Sequence, residues 1–196
     1  MNTRIIVDST ADLMPEFKSR VHTVPLTVNF GDEEYIDGVT IDHKTFYEKL
    51  IESDVLPTTS QATPDAFIKE FEKAKEAGEA AVVITLASKF SGTYQSANIA
   101  KSMAEYDEIY LVDTLSATRA IRIMAEYACK LRGEGKTAAE IAEILKVSVA
   151  DSDTMIIPDD LSQLKAGGRL TPVAAALAGL LKIKPILQMN ASSEGK

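Results

Sequence analysis

Cysteine is nearly absent from this chain of 196 residues, and that closes two classes of architecture at once. A single cysteine, Cys129, permits neither a disulfide framework nor a cysteine-built zinc site. It stands in a helical stretch beside Ala125 and Ala128, where a thiol reads as a small buried apolar group. Histidine is almost as scarce, with only His22 and His43, both upstream of every serine weighed below as a nucleophile. Basic residues are outnumbered by acidic ones, 21 to 29, and the net charge of −8 argues against a nucleic-acid partner held through its phosphates. Long apolar runs are missing too. The longest uncharged one, residues 172–181, falls far short of the ~20 residues of a membrane span, so no stable membrane insertion is expected. At the N-terminus Arg4 is followed by three apolar residues before Asp8, which is not a secretory signal. Neither a Walker sequence nor G-x-G-x-x-G occurs, so no nucleotide cofactor has a motif behind it. The expectation is a cytoplasmic protein without cofactor or metal.

What is present is a chain that is 45% apolar, enough for a real core, and organised around residues 80–100, AAVVITLASKFSGTYQSANIA. Residues 81–86 form a continuous apolar, largely β-branched run, which predicts a strand covered on both faces. A polar loop follows, and a helix is predicted to start near Gly92, with Tyr94, Ala97, Ala100 and Met103 at helical spacing. Ser91 and Thr93 bring hydroxyls to that helix N-terminus, where free N–H groups and the dipole favour an anion. Two readings of Ser91 stand at this point: a group that holds a carboxylate or phosphate, or only an N-cap.

The remainder reads as repeated strand–loop–helix units. Residues 4–7 predict a buried strand ending in Asp8-Ser9-Thr10-Ala11-Asp12, whose side chains can cap a helix over 12–19. Residues 21–24 and 26–30 are strand-like, with Pro25 marking an edge or bend between them, and 31–34 read as a hairpin turn before a return strand. A helix over 42–53 carries Phe46, Tyr47, Leu50 and Ile51, predicted to share one face; residues 57–62 read as a polar loop. Thr63 and Pro64 open a helix with Phe67, Phe71 and Ala74 on its buried face and Gly78 as its stop. Residues 109–112 are a second buried strand, ending in Asp113-Thr114-Leu115-Ser116; a helix runs from 117 to 131, and a Thr137–Glu140 capping box opens another. Alternating strands and helices imply an α/β fold, a mostly parallel sheet flanked by helices. The loops after its strands should then converge on one edge.

From Asp151 the pattern restarts, with a strand over 154–157, a helical turn over 161–166, the break Gly167-Gly168-Arg169, an apolar helix over 173–181 capped at Thr171-Pro172, a strand over 184–189 and a polar tail over 191–196. The reading is an N-terminal α/β domain over 1–150 and the start of a second, truncated α/β domain over 151–196.

Catalytic readings match less well. A nucleophile elbow at Ser91 needs glycine two residues to either side; Lys89 and Thr93 stand there, and no histidine follows. An aspartyl phosphatase would want a carboxylate two residues after Asp8, where Thr10 stands. Asp32, Glu33, Glu34 and Asp37 make an acidic hairpin, either a solvated edge or a weak cation site. No catalytic residue and no metal ligand is assigned. A serine-dependent hydrolase using Ser91, and a ligand-free regulatory or interaction protein, stay as alternatives.

Six short motifs in order resemble the DegV family: Asp8–Asp12 as Asp-Ser-Thr-x-Asp, Thr59-Ser60-Gln61, Ser91-Gly92-Thr93-Tyr94, Val112-Asp113-Thr114, Leu164–Arg169 as Leu-x-x-Gly-Gly-Arg, and 181–186 as Leu-x-Ile-Lys-Pro-Ile. Each is weak alone; the series is specific. The resemblance implies a two-domain, non-enzymatic carrier of a long-chain fatty acid, which a separate fatty acid kinase phosphorylates on its carboxylate. It implies carboxylate contacts from Thr59 and Ser91, with Ser60, Gln61, Gly92, Thr93, Asp8, Ser9 and Asp113 in supporting loops. Arg169, either bonded to the carbonyls of the preceding helix end or turned toward the kinase, is the possible partner contact, and Lys165, Lys182 and Lys184 make a basic cluster near it in sequence. Two departures stand out. Ala62 replaces the family's usual proline, and the family's chains continue past this sequence to a His-bearing, Gly-rich motif that adds a third carboxylate contact.

Overall fold

A computed structural model describes residues 2–169 and 186–189. In chain order its elements are β1 (Thr3–Asp8), β2 (His22–Val24), β3 (Thr27–Phe30), β4 (Glu33–Ile36), α1 (His43–Glu52), β5 (Thr58–Ser60), α2 (Pro64–Ala77), β6 (Ala80–Thr85), α3 (Thr93–Met103), β7 (Ile109–Asp113), α4 (Arg119–Gly133), α5 (Ala138–Ala150), β8 (Thr154–Ile156), α6 (Ser162–Ala166) and β9 (Leu187–Met189).

Four strands form one parallel sheet in the order β2-β1-β6-β7, with Ile5 beside Val82 and Ile84 beside Val112. Every residue of β6 is buried, as its apolar run from Ala80 to Ile84 requires of a strand covered on both faces. Alternation of side chains sorts the core into two layers. Ile5, Val7, Val82, Ile84 and Val112 pack with Ile121, Ala125 and Ala128 of α4 and Ile141 and Leu145 of α5. On the opposite face Ile6, Ala81 and Val83 pack with Phe67, Phe71 and Ala74 of α2 and Ala97 and Ala100 of α3. This is the expected α/β architecture of a parallel sheet between helices.

A second sheet is antiparallel, in the order β4-β3-β5, and its core is Val28, Phe30 and Ile41 against Tyr35, Phe46 and Leu50. Pro25 lies between the strand that joins the main sheet and the one that starts this second sheet. β8 and β9 pair antiparallel as a two-stranded ribbon.

Four expectations are corrected. Residues 12–19 are not one helix but follow and contain short 3-10 turns, Ser9–Ala11 and Pro15–Phe17; Asp12 at φ 48° turns left-handed and stops the first. Residues 58–60, read as loop, are strand β5, paired with β3. On α1, Phe46 and Leu50 pack inward while Tyr47 and Ile51 are 60% and 84% exposed. On α3 the buried set is Thr93, Ser96, Ala97 and Ala100, and Met103 points outward. The Thr63 cap with Pro64, the Gly78 stop and the Thr137 capping box stand as read. Cys129 is buried, and burial pushes its thiol further from ionisation. The helix at 173–181, its cap and the tail from 191 lie outside the described residues; of the strand at 184–189 the described part is Leu187–Met189. No helix among the described residues is long and apolar enough to cross a membrane.

Phe71 is fully buried between α2 and the sheet, so Phe71→Ala should cost about 3–5 kcal/mol in urea unfolding. Tyr47→Ala, on the outer side of α1, should stay within about 0.5 kcal/mol of wild type.

Candidate functional site

Parallel strands deliver the loops after β1, β6 and β7 to one edge of the sheet. The sheet order turns between β1 and β6, since the chain goes from β1 to β2 on one side and from β6 to β7 on the other. Such a switch point opens a crevice at the carboxyl ends of the strands. Here Asp8 bridges it. Its carboxylate is fully buried; Oδ2 accepts the Leu86 N–H at 2.7 Å, and Oδ1 accepts the Thr10 N–H at 2.9 Å and the Thr10 hydroxyl at 2.5 Å. Burial pushes the Asp8 carboxyl above its ordinary range, against the pull of those hydrogen bonds. Ser9 Oγ accepts the Leu26 N–H at 3.1 Å, tying the same loop to the chain entering β3.

Asp113 performs the matching task from β7. Its Oδ1 accepts both the Ser88 and the Leu115 N–H at 3.1 Å, and Ala87 N–H donates to Ser116 O at 2.7 Å. Thr114 Oγ1 donates to Thr85 O at 2.8 Å. Leu115 and Thr118 hold φ of 50° and 52°, so this connection stores backbone strain. The loop carrying Ser91 is thus clamped from both sides. The Thr85 hydroxyl, on the sheet face toward α3, is buried without a partner among the described residues.

Gly92, not Ser91, is the N-cap of α3, and it supplies no side-chain cap bond. Ser91 precedes it; its Oγ accepts the Thr93 N–H at 3.3 Å and lies 2.9 Å from Thr93 Oγ1. Thr93 is buried, and its Oγ1 accepts the Ala62 N–H at 3.3 Å. Gln61 Nε2 donates to Ser96 Oγ at 2.9 Å. Two hydrogen bonds, from Gln61 and Ala62, therefore join the segment 59–62 to the start of α3. Gly92 has an ordinary φ of −71°, so its role is space: a Cβ there would fall 1.8 Å from Gln61 Oε1. Thr59 sits in β5 opposite Val28, exposed, with no side-chain hydrogen bond among the described residues. Ser60 Oγ accepts from Asn29 Nδ2 at 3.3 Å.

Arg169 follows Gly168 at φ 71°, at the break read from the sequence. Its Nη1 donates to Gly167 O, the bond to a preceding carbonyl, and its Nε donates at 3.3 Å to Phe90 O, the residue before Ser91. Lys182 and Lys184 lie outside the described residues.

Neither histidine serves Ser91. His22 Nδ1 lies 3.4 Å from Arg4 Nη1, and His43 Nε2 lies 3.9 Å from Asp12 Oδ1. Among the described residues the Ser91 hydroxyl meets only Thr93, so a nucleophilic serine would lack its base. Glu33 of the acidic hairpin is paired with Lys49 at 2.8 Å, and no group of three metal-ligating side chains occurs among the described residues. A cavity of about 190 Å³, lined in part by Asp8, Ser9, Asp12, Asp37 and His43, opens beside the first loop. Sequence reading missed it, and it missed Ser96; serine at a buried helix position facing a glutamine loop was the available signal.

A family model described as an uncharacterised protein of the DegV family matches residues 2–194. A DegV domain-containing protein of Halalkalibacterium halodurans is 41% identical over 193 residues, 96% of this chain and 68% of that protein. Among solved structures, a stearic-acid-binding protein from Eubacterium ventriosum superposes with a TM-score of 0.87 at 29% identity, covering 97% of this chain and 68% of that one. DegV of Bacillus subtilis, described as a fatty acid binding protein, superposes at 0.84 with 32% identity, covering 97% and 69%.

The Asp8 carboxyl holds its proton to higher pH when folded than its unfolded value of 3.8. Its contribution is then fully present below that value and is lost as pH rises through the raised folded value. The stability of wild type relative to Asp8→Asn should therefore fall as pH climbs from 3.8 and level off once Asp8 is ionised in both states, as read by urea unfolding across pH.

Proposed function

The chain belongs to the DegV family, and on that premise we propose that it binds a long-chain fatty acid, holds the carboxylate on Thr59 and Ser91, and presents it to a separate kinase. The observation that carries the reading is the pair of hydrogen bonds, Gln61 to Ser96 and Ala62 to Thr93, that makes one unit of two loops bearing hydroxyls. That unit stands at the start of a helix whose cap residue offers no side-chain acceptor; the Thr93 N–H goes to Ser91 Oγ, and those of Tyr94 and Gln95 have no partner within the helix and suit an anion. The solved relatives described as stearic-acid-binding and fatty-acid-binding support the ligand class.

Neutral hydroxyls suit the task. They orient a carboxylate without neutralising it, so one oxygen keeps its negative charge and can attack a phosphoryl donor brought by the partner. A lysine or arginine in their place would bind more tightly and blunt the nucleophile. The protein is then a carrier and not itself an enzyme. The acyl chain would run between the domain over 1–150 and the unit that begins at residue 151. Arg169, bonded to the loop of Ser91 through Phe90 O, is the group at that edge suited to a bidentate phosphate or carboxylate contact from the kinase side.

Native mass spectrometry of the purified protein should show co-purifying long-chain fatty acid; its absence after reloading with oleate would sink the reading. Thr59→Ala and Ser91→Ala should each weaken oleate binding by ~1–2 kcal/mol, the usual scale for a hydrogen bond to a charged group, while unfolding midpoints stay near wild type. Equal affinity for oleate and methyl oleate in the unmodified protein would refute the carboxylate role. Arg169→Ala should leave oleate affinity nearly unchanged and slow acyl-phosphate formation in an assay with the kinase. Wild-type turnover together with a lowered melting temperature would make Arg169 structural.

A further inference from the structure

We propose that Thr93 is a positioning residue: its buried hydroxyl donates to Ser91 Oγ and thereby turns the Ser91 proton outward, toward a ligand that can only accept. The inference rests on the reading of Ser91 as a carboxylate contact. The two hydroxyl oxygens lie 2.9 Å apart, and the distance alone leaves the donor open. Their surroundings decide it. A hydroxyl has one proton and two lone pairs. Thr93 is 0% exposed, and among the described residues its Oγ1 has two neighbours, the Ala62 N–H, which donates to it, and Ser91 Oγ. Ser91 Oγ is thus the acceptor within reach of the Thr93 proton. Were Ser91 the donor, the Thr93 proton would be buried without a partner, which is costly, while Ser91 is half-buried and can turn its own proton to solvent or ligand.

With that polarity, Ser91 Oγ accepts from both Thr93 N and Thr93 Oγ1. Both lone pairs are engaged and the proton is free. Ser91 can then donate but not accept, and each incoming hydrogen bond makes it a better donor. An ester carbonyl also only accepts, but a hydrogen bond to a charged oxygen is the stronger one, so a strengthened donor favours an ionised carboxylate over a neutral ester; the arrangement also leaves Ser91 without an accessible lone pair for nucleophilic attack. The chain Ala62 N–H, Thr93 Oγ–H, Ser91 Oγ–H runs in one direction, from the Thr59 segment to the ligand.

The test compares wild type with Ser91→Ala, Thr93→Val, Thr93→Ser and the double variant Ser91→Ala/Thr93→Val, measuring dissociation constants for oleate and methyl oleate by displacement of a fluorescent fatty acid. Thr93→Val should weaken oleate about tenfold and leave methyl oleate within about twofold; Thr93→Ser should keep the wild-type preference. The double variant should be no weaker for oleate than Ser91→Ala alone. A Thr93→Val protein that loses both ligands equally, or keeps the oleate preference, overturns the positioning role while the carboxylate reading stands. A Ser91→Ala protein with unchanged oleate preference overturns the carboxylate reading and this proposal together. Should Thr93→Val fail to fold, Thr93→Ala is read by the same ratio.

Discussion

A buried carboxylate at the carboxyl edge of the sheet, Asp8, sets the conditions for everything built on that edge. Burying a carboxyl group is costly unless it is hydrogen-bonded, and Asp8 collects the Leu86 N–H, the Thr10 N–H and the Thr10 hydroxyl. The bond to Leu86 crosses the switch point between β1 and β6, where open α/β sheets leave room for a ligand. Asp8 spans that place with its hydrogen bonds, and the next helix start along the edge is that of α3. The same carboxylate fixes where β6 ends, and so where the loop of Ser91 begins.

The parts of the fold legible in the sequence are those whose signal is local. The run over 81–86 is apolar because both faces of β6 are covered, and its pattern needs no knowledge of its neighbours. Thr63 with Pro64, Gly78 and the Thr137 capping box are backbone grammar, readable within a few residues. What was missed is non-local. Thr58-Thr59-Ser60 has three exposed polar side chains and no alternation; it is a strand because β3 offers it hydrogen-bond partners about 30 positions upstream. The helix expected over 12–19 had suitable caps, but a left-handed Asp12 and then Pro15 break the path. On α1 the helical spacing was right and Phe46 and Leu50 pack inward, but Tyr47 and Ile51 do not, because only the packing partner decides how wide a stripe is covered.

The candidate site divides the same way. Ser91 was singled out as a hydroxyl at a helix start, and Thr59 through a family resemblance carried by short motifs. The bonds that make those motifs one unit could not be read from either motif, since Gln61 and Ser96 are 35 positions apart and Ala62 and Thr93 are 31. Asp113 is similar: read from its motif as part of a supporting loop, it accepts the Ser88 and Leu115 N–H groups on Oδ1, 25 and 2 positions away.

The order Ser-Gly-Thr then has a physical account residue by residue. Ser91 stands half-exposed and Thr93 buried, so the two hydroxyls at i and i+2 meet with one facing out and one facing in. The residue between them is glycine although its backbone asks for nothing special, with φ −71° and ψ 3°. What demands glycine is Gln61, whose amide lies over that Cα so closely that a Cβ would overlap its oxygen at 1.8 Å and its carbon at 2.6 Å. A methyl there would swing Gln61 away and break its bond to Ser96, leaving the Ala62–Thr93 bond to hold the two loops together by itself. Gly92 makes room for the partner loop, Thr93 accepts its Ala62 N–H, and the Thr93 hydroxyl lies against that of Ser91. The three positions are coupled because the second loop meets Gly92 and Thr93, and Thr93 meets Ser91, which is why neither loop can be understood from its own sequence.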